Sequence, residues 1–389
     1  MIKFAKDKNF IALIYLLFSV TLAALGTGIN VISFPAILTE HDISPFLIGI
    51  ATAVEIAANI AISFMLSKMI FRLTLTRAML LCALIYAISI SAIFFYQNFP
   101  LWLVFCVING VCWFTLFIIR QTWISTLVKH KNRSIILALT TTVLCCGFIA
   151  GSFVVKYFGA LNYTSFLISA AATLFSIIML LPVRSTQPKR VQARRIGLRE
   201  FFVHNPNITV ARLMLDFQAG CLICFGVILG IKIGFSVENS GLFISAYMAS
   251  GFCDLYAGFL VKKYSRYKMI NLGFAGCLAS MIAGIFLYQS YLALITVFFL
   301  FGCATALILT ATLTITNQSF PKHKLIGANS TFQSLGAIGF LGGSLLGGIL
   351  IQIFDFYGFF ITMIFANLAY FIFLFFAPAR EHYHRAPKS

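Results

Sequence analysis

The sequence predicts an all-α membrane protein whose twelve transmembrane helices form two pseudo-symmetric six-helix bundles. Three observations predict this fold class: a composition suited to lipid, a series of apolar segments of helix length, and a repeat that relates the two halves. Of the 389 residues, 61% are hydrophobic and 10% are charged, whereas a soluble globular chain carries about 25% charged residues. A chain of this composition is suited to a bilayer rather than to water.

The apolar segments number twelve, and each is close to or above the roughly 20 residues that one bilayer crossing needs. Because lipid offers backbone groups no hydrogen-bond partners, only helices and closed barrels span it. The alternating strands of about ten residues that a barrel requires are absent from the sequence. The predicted helices occupy residues 10–38, 44–66, 78–96, 101–128, 134–155, 163–183, 207–233, 237–261, 269–288, 291–318, 325–353 and 356–377.

Basic residues are distributed unevenly over the predicted loops. The net charge is +18, and most Lys and Arg residues lie in the two tails and in the loops on one side, including the basic stretch 184–206. Basic loops stay in the cytoplasm, so the sequence predicts that both termini and this stretch lie inside a bacterial cytoplasmic (inner) membrane. The charge is therefore a topology signal, and the expected partner is the lipid bilayer rather than a nucleic acid.

An internal repeat divides the chain at the basic stretch. Three pairs of loop sequences match between the halves at nearly the same offset, which is typical of two diverged copies of one six-helix unit. The expected domains are therefore an N-terminal bundle at 1–183, a basic cytoplasmic linker at 184–206, and a C-terminal bundle with a short tail at 207–389. The matching stretches are 43–49 with 235–241, 67–77 with 258–268, and 129–131 with 322–324.

The two halves, the long basic central loop and a repeated loop sequence resemble the major facilitator superfamily of secondary transporters over nearly the whole chain. That family carries the signature G-x-L-x-D-R-x-G-R-[KR]-x after its second helix and again after its eighth. The second copy here runs from Gly258 to Lys268, and the first, between Ser67 and Arg77, is more degraded. The resemblance implies a monomeric transporter without a cofactor, which moves a small molecule through a cavity between rocking halves.

The signature loops and a nearby acid provide the gate candidates. The acid of the family signature is replaced by Phe71 in the first copy and by Lys262 in the second, so the latching role of that acid is not carried over to this chain. The remaining basic residues are expected to meet helix C-terminal carbonyls, and Asp254 is expected to form a gate salt bridge. The gate candidates are Arg72, Arg77, Asp254, Gly258, Lys262, Lys263, Arg266 and Lys268.

Charged residues inside membrane segments are costly, and each is therefore a functional candidate. Glu55 lies about eleven residues, or about 16 Å, into the second predicted helix. Thr52, Glu55, Asn59 and Ser63 follow a spacing of three to four residues and form one polar stripe. Because an apolar environment favours the neutral form of a carboxyl group, Glu55 is the proton-coupling candidate. The alternative is a structural pair with an Arg or an amide.

Arg120 lies in the cytoplasmic third of the fourth predicted helix. Asn109 and Trp113 precede it on the same helical face. The planar guanidinium is suited to a substrate carboxylate or phosphate. The alternatives are a pair with an acid, a gating contact, or a side chain that extends to the inner lipid headgroups.

The seventh predicted helix carries a second charged group. Arg212 and Asp216 are one turn apart, which suits an intrahelical ion pair, and Gln218 follows closely. Asn30, after two glycines of the first helix, has the hydrogen-bonding capacity to hold a solute. We therefore count these four residues, together with Asn59, Asn109, Trp113 and Arg120, as substrate-cavity candidates.

These residues favour a secondary active transporter of a small solute, coupled to protons. Export of a small metabolite, siderophore or drug and uptake of an organic anion both remain open. A receptor or scaffold on the same fold is the alternative outside transport. No enzyme is expected, because all six His lie in loops or tails. No metal site is expected, because the one C-x-x-C lies within a helix without a second pair.

Overall fold

The computed structural model describes residues 8–70, 75–95, 98–128, 133–187, 197–320 and 324–376. Within these ranges the chain is helical and contains no strand. The helices are α1 (Lys8–Glu40), α2 (Pro45–Ile70), α3 (Leu75–Phe95), α4 (Phe99–Leu127), α5 (Arg133–Phe158), α6 (Tyr163–Ile178), α7 (Leu198–His204), α8 (Pro206–Ile233), α9 (Val237–Ala249), α10 (Asp254–Lys263), α11 (Arg266–Leu287), α12 (Tyr291–Ser319), α13 (Leu325–Phe354) and α14 (Tyr357–Phe376).

Twelve helical crossings account for the architecture. Ten described helices are each long and apolar enough to cross a membrane alone, and α9 with α10 makes an eleventh, bent crossing. The twelfth is α6, whose 16 residues span about 24 Å and are followed by the 3-10 turn Leu181–Thr186. The predicted fold class is confirmed, although the prediction that the sixth helix continues to Val183 is wrong, because Pro182 and the 3-10 turn end it.

The expectation of one continuous helix from Val237 to Val261 is also wrong. The chain bends by 50° between α9 and α10, at a short 3-10 segment that contains Ser250 and Gly251. The Ser250 hydroxyl donates to the Tyr247 carbonyl at 2.6 Å, and Gly251 lies so close to Cys145 that a Cβ there would clash with its sulfur. Adjacent Gly and Ser residues are a common cause of helix kinks.

The basic linker is attached to both halves. At its start, Trp123 Nε1 donates to Thr186 Oγ1 at 3.1 Å, which holds the 3-10 turn against α4. At its end, α7 packs on the C-terminal half: Phe201 is fully buried and stacks on Phe320 with ring centroids 5.4 Å apart. Lys324 Nζ lies 2.9 Å from Glu200 Oε1 beside this contact. The linker therefore contains ordered structure on either side of residues 188–196, which are outside the described ranges.

The two halves contact each other through α2 with α13, α5 with α9, and α1 with α8. One close approach lies at the end of the bundle opposite the linker, where α2 begins and α13 ends; we call it the far end. A Cβ on Gly49 would lie 2.5 Å from the Ser344 carbonyl oxygen, and one on Gly348 would lie 2.7 Å from the Pro45 oxygen. Small residues permit such backbone contact between helices in lipid.

Candidate functional site

Arg120 on α4 is buried, with 6% of its surface exposed. Its Nε donates to Ser19 Oγ of α1 at 3.1 Å, and its Nη2 donates to Ser176 Oγ of α6 at 2.8 Å. No Asp or Glu within the described ranges lies at ion-pair distance from the guanidinium. Arg120 therefore neither pairs with an acid nor extends to the lipid headgroups, which were two of the alternatives left open by the sequence. It is a buried cation held by two neutral hydroxyls.

A cavity of about 30 Å³ lies beside Arg120, which is room for about two water molecules. Trp113 also lines it: its Nε1 donates to Thr27 Oγ1 at 3.1 Å, and its ring stacks on Phe117 with centroids 5.3 Å apart. The structure thus brings Trp113 and Arg120 to one space between α1, α4 and α5. The lining residues are Val20, Ala23, Ala24, Thr27, Trp113, Phe117, Arg120, Gln121, Leu144 and Phe148.

Glu55 on α2 lies next to the contact between the halves. Its carboxyl group is close enough to Tyr86, Cys106 and Cys224 to interact with each electrostatically. Cys224 belongs to α8 of the other half, and its sulfur is 3.1 Å from the hydroxyl of Thr52, one turn before Glu55. In the described part of the chain no Lys or Arg forms an ion pair with Glu55, so the structural Arg pair that the sequence left open is not formed here.

Three buried amide oxygens accompany Glu55 in the N-terminal half. The Oδ1 atoms of Asn30, Asn59 and Asn109 have no hydrogen-bond partner among the described residues, whereas Asn30 Nδ2 donates to Tyr86 Oη at 3.0 Å. A buried acceptor without a donor costs about 1–3 kcal/mol. These oxygens can therefore accept hydrogen bonds from a solute, a water molecule or a protonated carboxyl group. Tyr86 is a participant that the sequence did not single out.

The C-terminal half holds its charges differently. Arg212 Nε and Asp216 Oδ2 on α8 are 2.8 Å apart, at an angle outside hydrogen-bond geometry, so the predicted intrahelical ion pair forms. Arg212 Nη2 also donates to Gln333 Oε1 of α13 at 3.1 Å, and its guanidinium lies 4.5 Å from the Phe332 ring centroid. This cation is therefore neutralised by its own helix, whereas Arg120 is not.

Gln218 does not join these charges. It is fully buried, and its Oε1 accepts from Asn367 Nδ2 of α14 at 3.0 Å. Its Nε2 donates to the Met214 carbonyl at 3.3 Å. The side chain belongs to the contact between α8 and α14, which lies within the C-terminal half and away from the cavity that Arg120 lines.

The second signature loop overlaps the end of the short helix α10 and the start of α11. Asp254 begins this helix, and Lys262 and Lys263 end it, so both signs of charge match the helix dipole. The described residues give Asp254 no ion-pair partner, so the expected gate salt bridge is not formed here. A Cβ on Gly258 would meet nothing within 4 Å.

Three further gate candidates occupy the same end of the bundle. Arg266 begins α11, and its Nε is buried without a hydrogen-bond partner among the described residues. Lys268 and Arg77 are exposed. The structure therefore places these three side chains at the linker end, on the side of the basic loops. Arg72 lies outside the described residues.

Comparison with known proteins is consistent with this architecture. NupG, a nucleoside transporter, shares the fold with a TM-score of 0.80 at 14% sequence identity, covering 95% of this chain and 100% of that chain. A bacterial homologue of the human lysosomal transporter Spinster, in an inward-facing and unoccupied conformation, gives a TM-score of 0.74 at 14% identity, covering 96% of each chain. No curated protein matches the sequence.

One family model matches the chain twice, and the two matches together cover almost its whole length. The description of the matching family is Major Facilitator Superfamily, and its model matches residues 16–231 and again residues 208–389. The solved neighbours are transporters of the same fold, and the apolar helices make the chain a multi-pass integral membrane protein. The chain belongs to the Major Facilitator Superfamily.

Proposed function

We propose that the chain is a secondary active transporter that moves a small solute by alternating access and uses protons bound at Glu55 as the coupling ion. The observation that carries the proposal is the position of Glu55, a carboxyl group without a cation partner beside the contact of α2 with α8. We also propose that the protein lies in a bacterial inner membrane with the linker and both termini on the cytoplasmic side. The basic loops support this orientation.

The coupling follows from the cost of holding charge at this contact. A carboxylate is much more expensive to enclose between apolar helices than the neutral acid. When Glu55 carries a proton, the α2 and α8 surfaces around Thr52 and Cys224 can stay together at low cost. When the proton leaves, the same closure becomes unfavourable, and the equilibrium shifts to the state in which water reaches the carboxylate. Proton binding and rocking of the halves are thereby linked.

The far end supports the alternating part of the proposal. Gly49 against Ser344 and Gly348 against Pro45 bring the backbones of α2 and α13 into contact, with the Phe225 ring of α8 beside both glycines. Because small residues leave few interlocked atoms between α2 and α13, this contact can separate and re-form with little repacking of side chains. With this end closed, the carried solute would enter and leave at the linker end.

The test compares Glu55→Gln with the wild-type protein in proteoliposomes. A metabolite comparison of cells with and without the protein first identifies the solute. We expect Glu55→Gln to abolish accumulation driven by an imposed pH gradient while preserving exchange of solute at equal concentrations. The matched control is Glu40→Gln, which removes an exposed carboxyl group at the end of α1 and should change neither. Undiminished gradient-driven accumulation by Glu55→Gln would refute proton coupling at this residue.

A further inference from the structure

We propose that the carried solute is an organic anion and that Arg120 holds its carboxylate group. That this anion is transported rests on the proposed function. That Arg120 binds a carboxylate does not depend on the proposed function. Its basis is the combination of an unneutralised buried cation, guanidinium N–H donors without an acceptor, and an adjoining cavity.

The first step is the charge balance around Arg120. Ser19 and Ser176 are neutral, and the cavity lining contains no acid. A buried cation without a counter-charge is strongly unfavourable unless a partner arrives. Glu55 does not supply the charge: its backbone oxygen contacts α4 at Gly110, and Arg120 lies ten residues further along this helix, which corresponds to about 15 Å.

The second step is the geometry of the guanidinium. Arg has five N–H donors, and the two serines accept one from Nε and one from Nη2. In the described hydrogen-bond network Nη1 has no acceptor. Three of the five N–H donors, the two of Nη1 and one of Nη2, are therefore left for a ligand, and a guanidinium can pair with the two oxygens of a carboxylate through two such donors. The serines hold the guanidinium in place in advance.

The third step is the size and chemistry of the adjoining space. A volume of about 30 Å³ accommodates about two waters, which is the size of one carboxylate group. The stacked rings of Trp113 and Phe117 line the same cavity, so a carboxylate held there would lie beside the Trp113 ring. A phosphate dianion fits less well, because the lining contains no cation besides Arg120.

The experiment uses the intrinsic fluorescence of Trp113, with the full-length protein in detergent micelles. Iodide is the anionic quencher and acrylamide the neutral one. We expect Arg120→Gln to lower iodide quenching about fivefold, because a unit charge removed from a low-dielectric site eliminates most of the local attraction for an anion. Acrylamide quenching should stay unchanged, which shows that the fold is intact. Trp113→Phe identifies the Trp113 component, because Trp102 and Trp123 are almost fully buried.

Competition then defines the ligand class. Acetate, which is little larger than one carboxylate group, should protect Trp113 from iodide in the wild-type protein, and acetamide, its uncharged counterpart, should not. Arg120→Lys retains the charge but lacks the planar guanidinium, so we expect it to keep iodide quenching and to lose acetate protection. Equal iodide quenching in wild type and Arg120→Gln, or equal protection by acetate and acetamide, would overturn the inference. Neither measurement uses a proton gradient, so the result for anion binding does not depend on the outcome of the Glu55 experiment.

Discussion

The ion pair of Arg212 and Asp216 offers the sharpest test of how this chain tolerates charge in its C-terminal half. We expect Asp216→Asn, which removes the negative charge at nearly constant volume, to lower the free energy of unfolding. Removing one partner of a buried pair costs about 3–5 kcal/mol, because the remaining charge is left uncompensated. The side chains of Arg212 and Asp216 are 9% and 18% exposed, so the pair is nearly but not completely enclosed.

Two contacts reduce the expected loss. Arg212 keeps its hydrogen bond to Gln333 and its position over the Phe332 ring, and a cation–π contact contributes about 0.5–2 kcal/mol. We therefore expect Asp216→Asn to cost about 2 kcal/mol, below the range for a fully enclosed pair. The measurement is equilibrium unfolding in mixed micelles, followed by circular dichroism.

A double-mutant cycle separates charge pairing from general damage. Arg212→Gln combined with Asp216→Asn leaves no unpaired charge, so the double variant should lose less stability than the sum of the two single variants. Gly336→Ala gives an independent check, because its Cβ would lie 2.5 Å from Arg212 Nη2 and 2.7 Å from Asp216 Oδ2. A change below about 0.5 kcal/mol for Asp216→Asn, the size of a neutral surface substitution, or strict additivity in the cycle, would contradict this reasoning.

Two further predictions concern packing and topology. Gly343→Ala should cost about 3 kcal/mol or more in unfolding measurements, as overpacking does at its upper range, because a Cβ would overlap the Phe217 carbonyl oxygen. The control is Gly258→Ala, which has open space around it and should not destabilise the protein. Equal losses of stability in the two variants would disprove the packing argument. A cysteine in place of Ser185, on the proposed cytoplasmic side, should react with an impermeant maleimide only after cells are permeabilised. A cysteine in place of Ser290, on the opposite side, should react in intact cells. The reverse pattern would overturn the proposed membrane orientation.

The positions of the crossings were largely predictable from the sequence. The predicted helix 207–233 corresponds to Pro206–Ile233, and 291–318 corresponds to Tyr291–Ser319. Hydrophobic length suffices for such predictions because lipid excludes every spanning structure except helices and closed barrels. The bend after Ala249 was not predicted, although the adjacent Ser250 and Gly251 are a sequence pattern that often accompanies helix kinks. The close approach of Gly251 to Cys145 of another helix cannot be read from the sequence.

The candidate site was predictable in its charges and in residues that share a helical face with them, such as Asn59 with Glu55 and Trp113 with Arg120. Glu55 and Arg120 stand out because a charge in an apolar segment is rare and costly. Thr27 does not stand out, because Thr hydroxyls bond readily to their own helix backbone, as Thr27 does to the Ala23 carbonyl. Tyr86 does not stand out, because its hydrogen bond with Asn30 joins residues far apart in the chain. Gln218 was placed with the cavity candidates because its contact with α14 cannot be inferred from the spacing of residues within one helix.

By itself, the sequence determined the membrane environment, the order of the helices, the duplication and the few charges that need a partner. These properties follow from local hydrophobicity and residue spacing, which can be read from the sequence without knowledge of the fold. The sequence also predicted how Arg212 is held, because Asp216 lies one turn further along the same helix. Only the tertiary structure decided how Arg120 is held, by the hydroxyls of Ser19 from α1 and Ser176 from α6. These side chains are far apart in the chain, and only the packing of the helices brings them together.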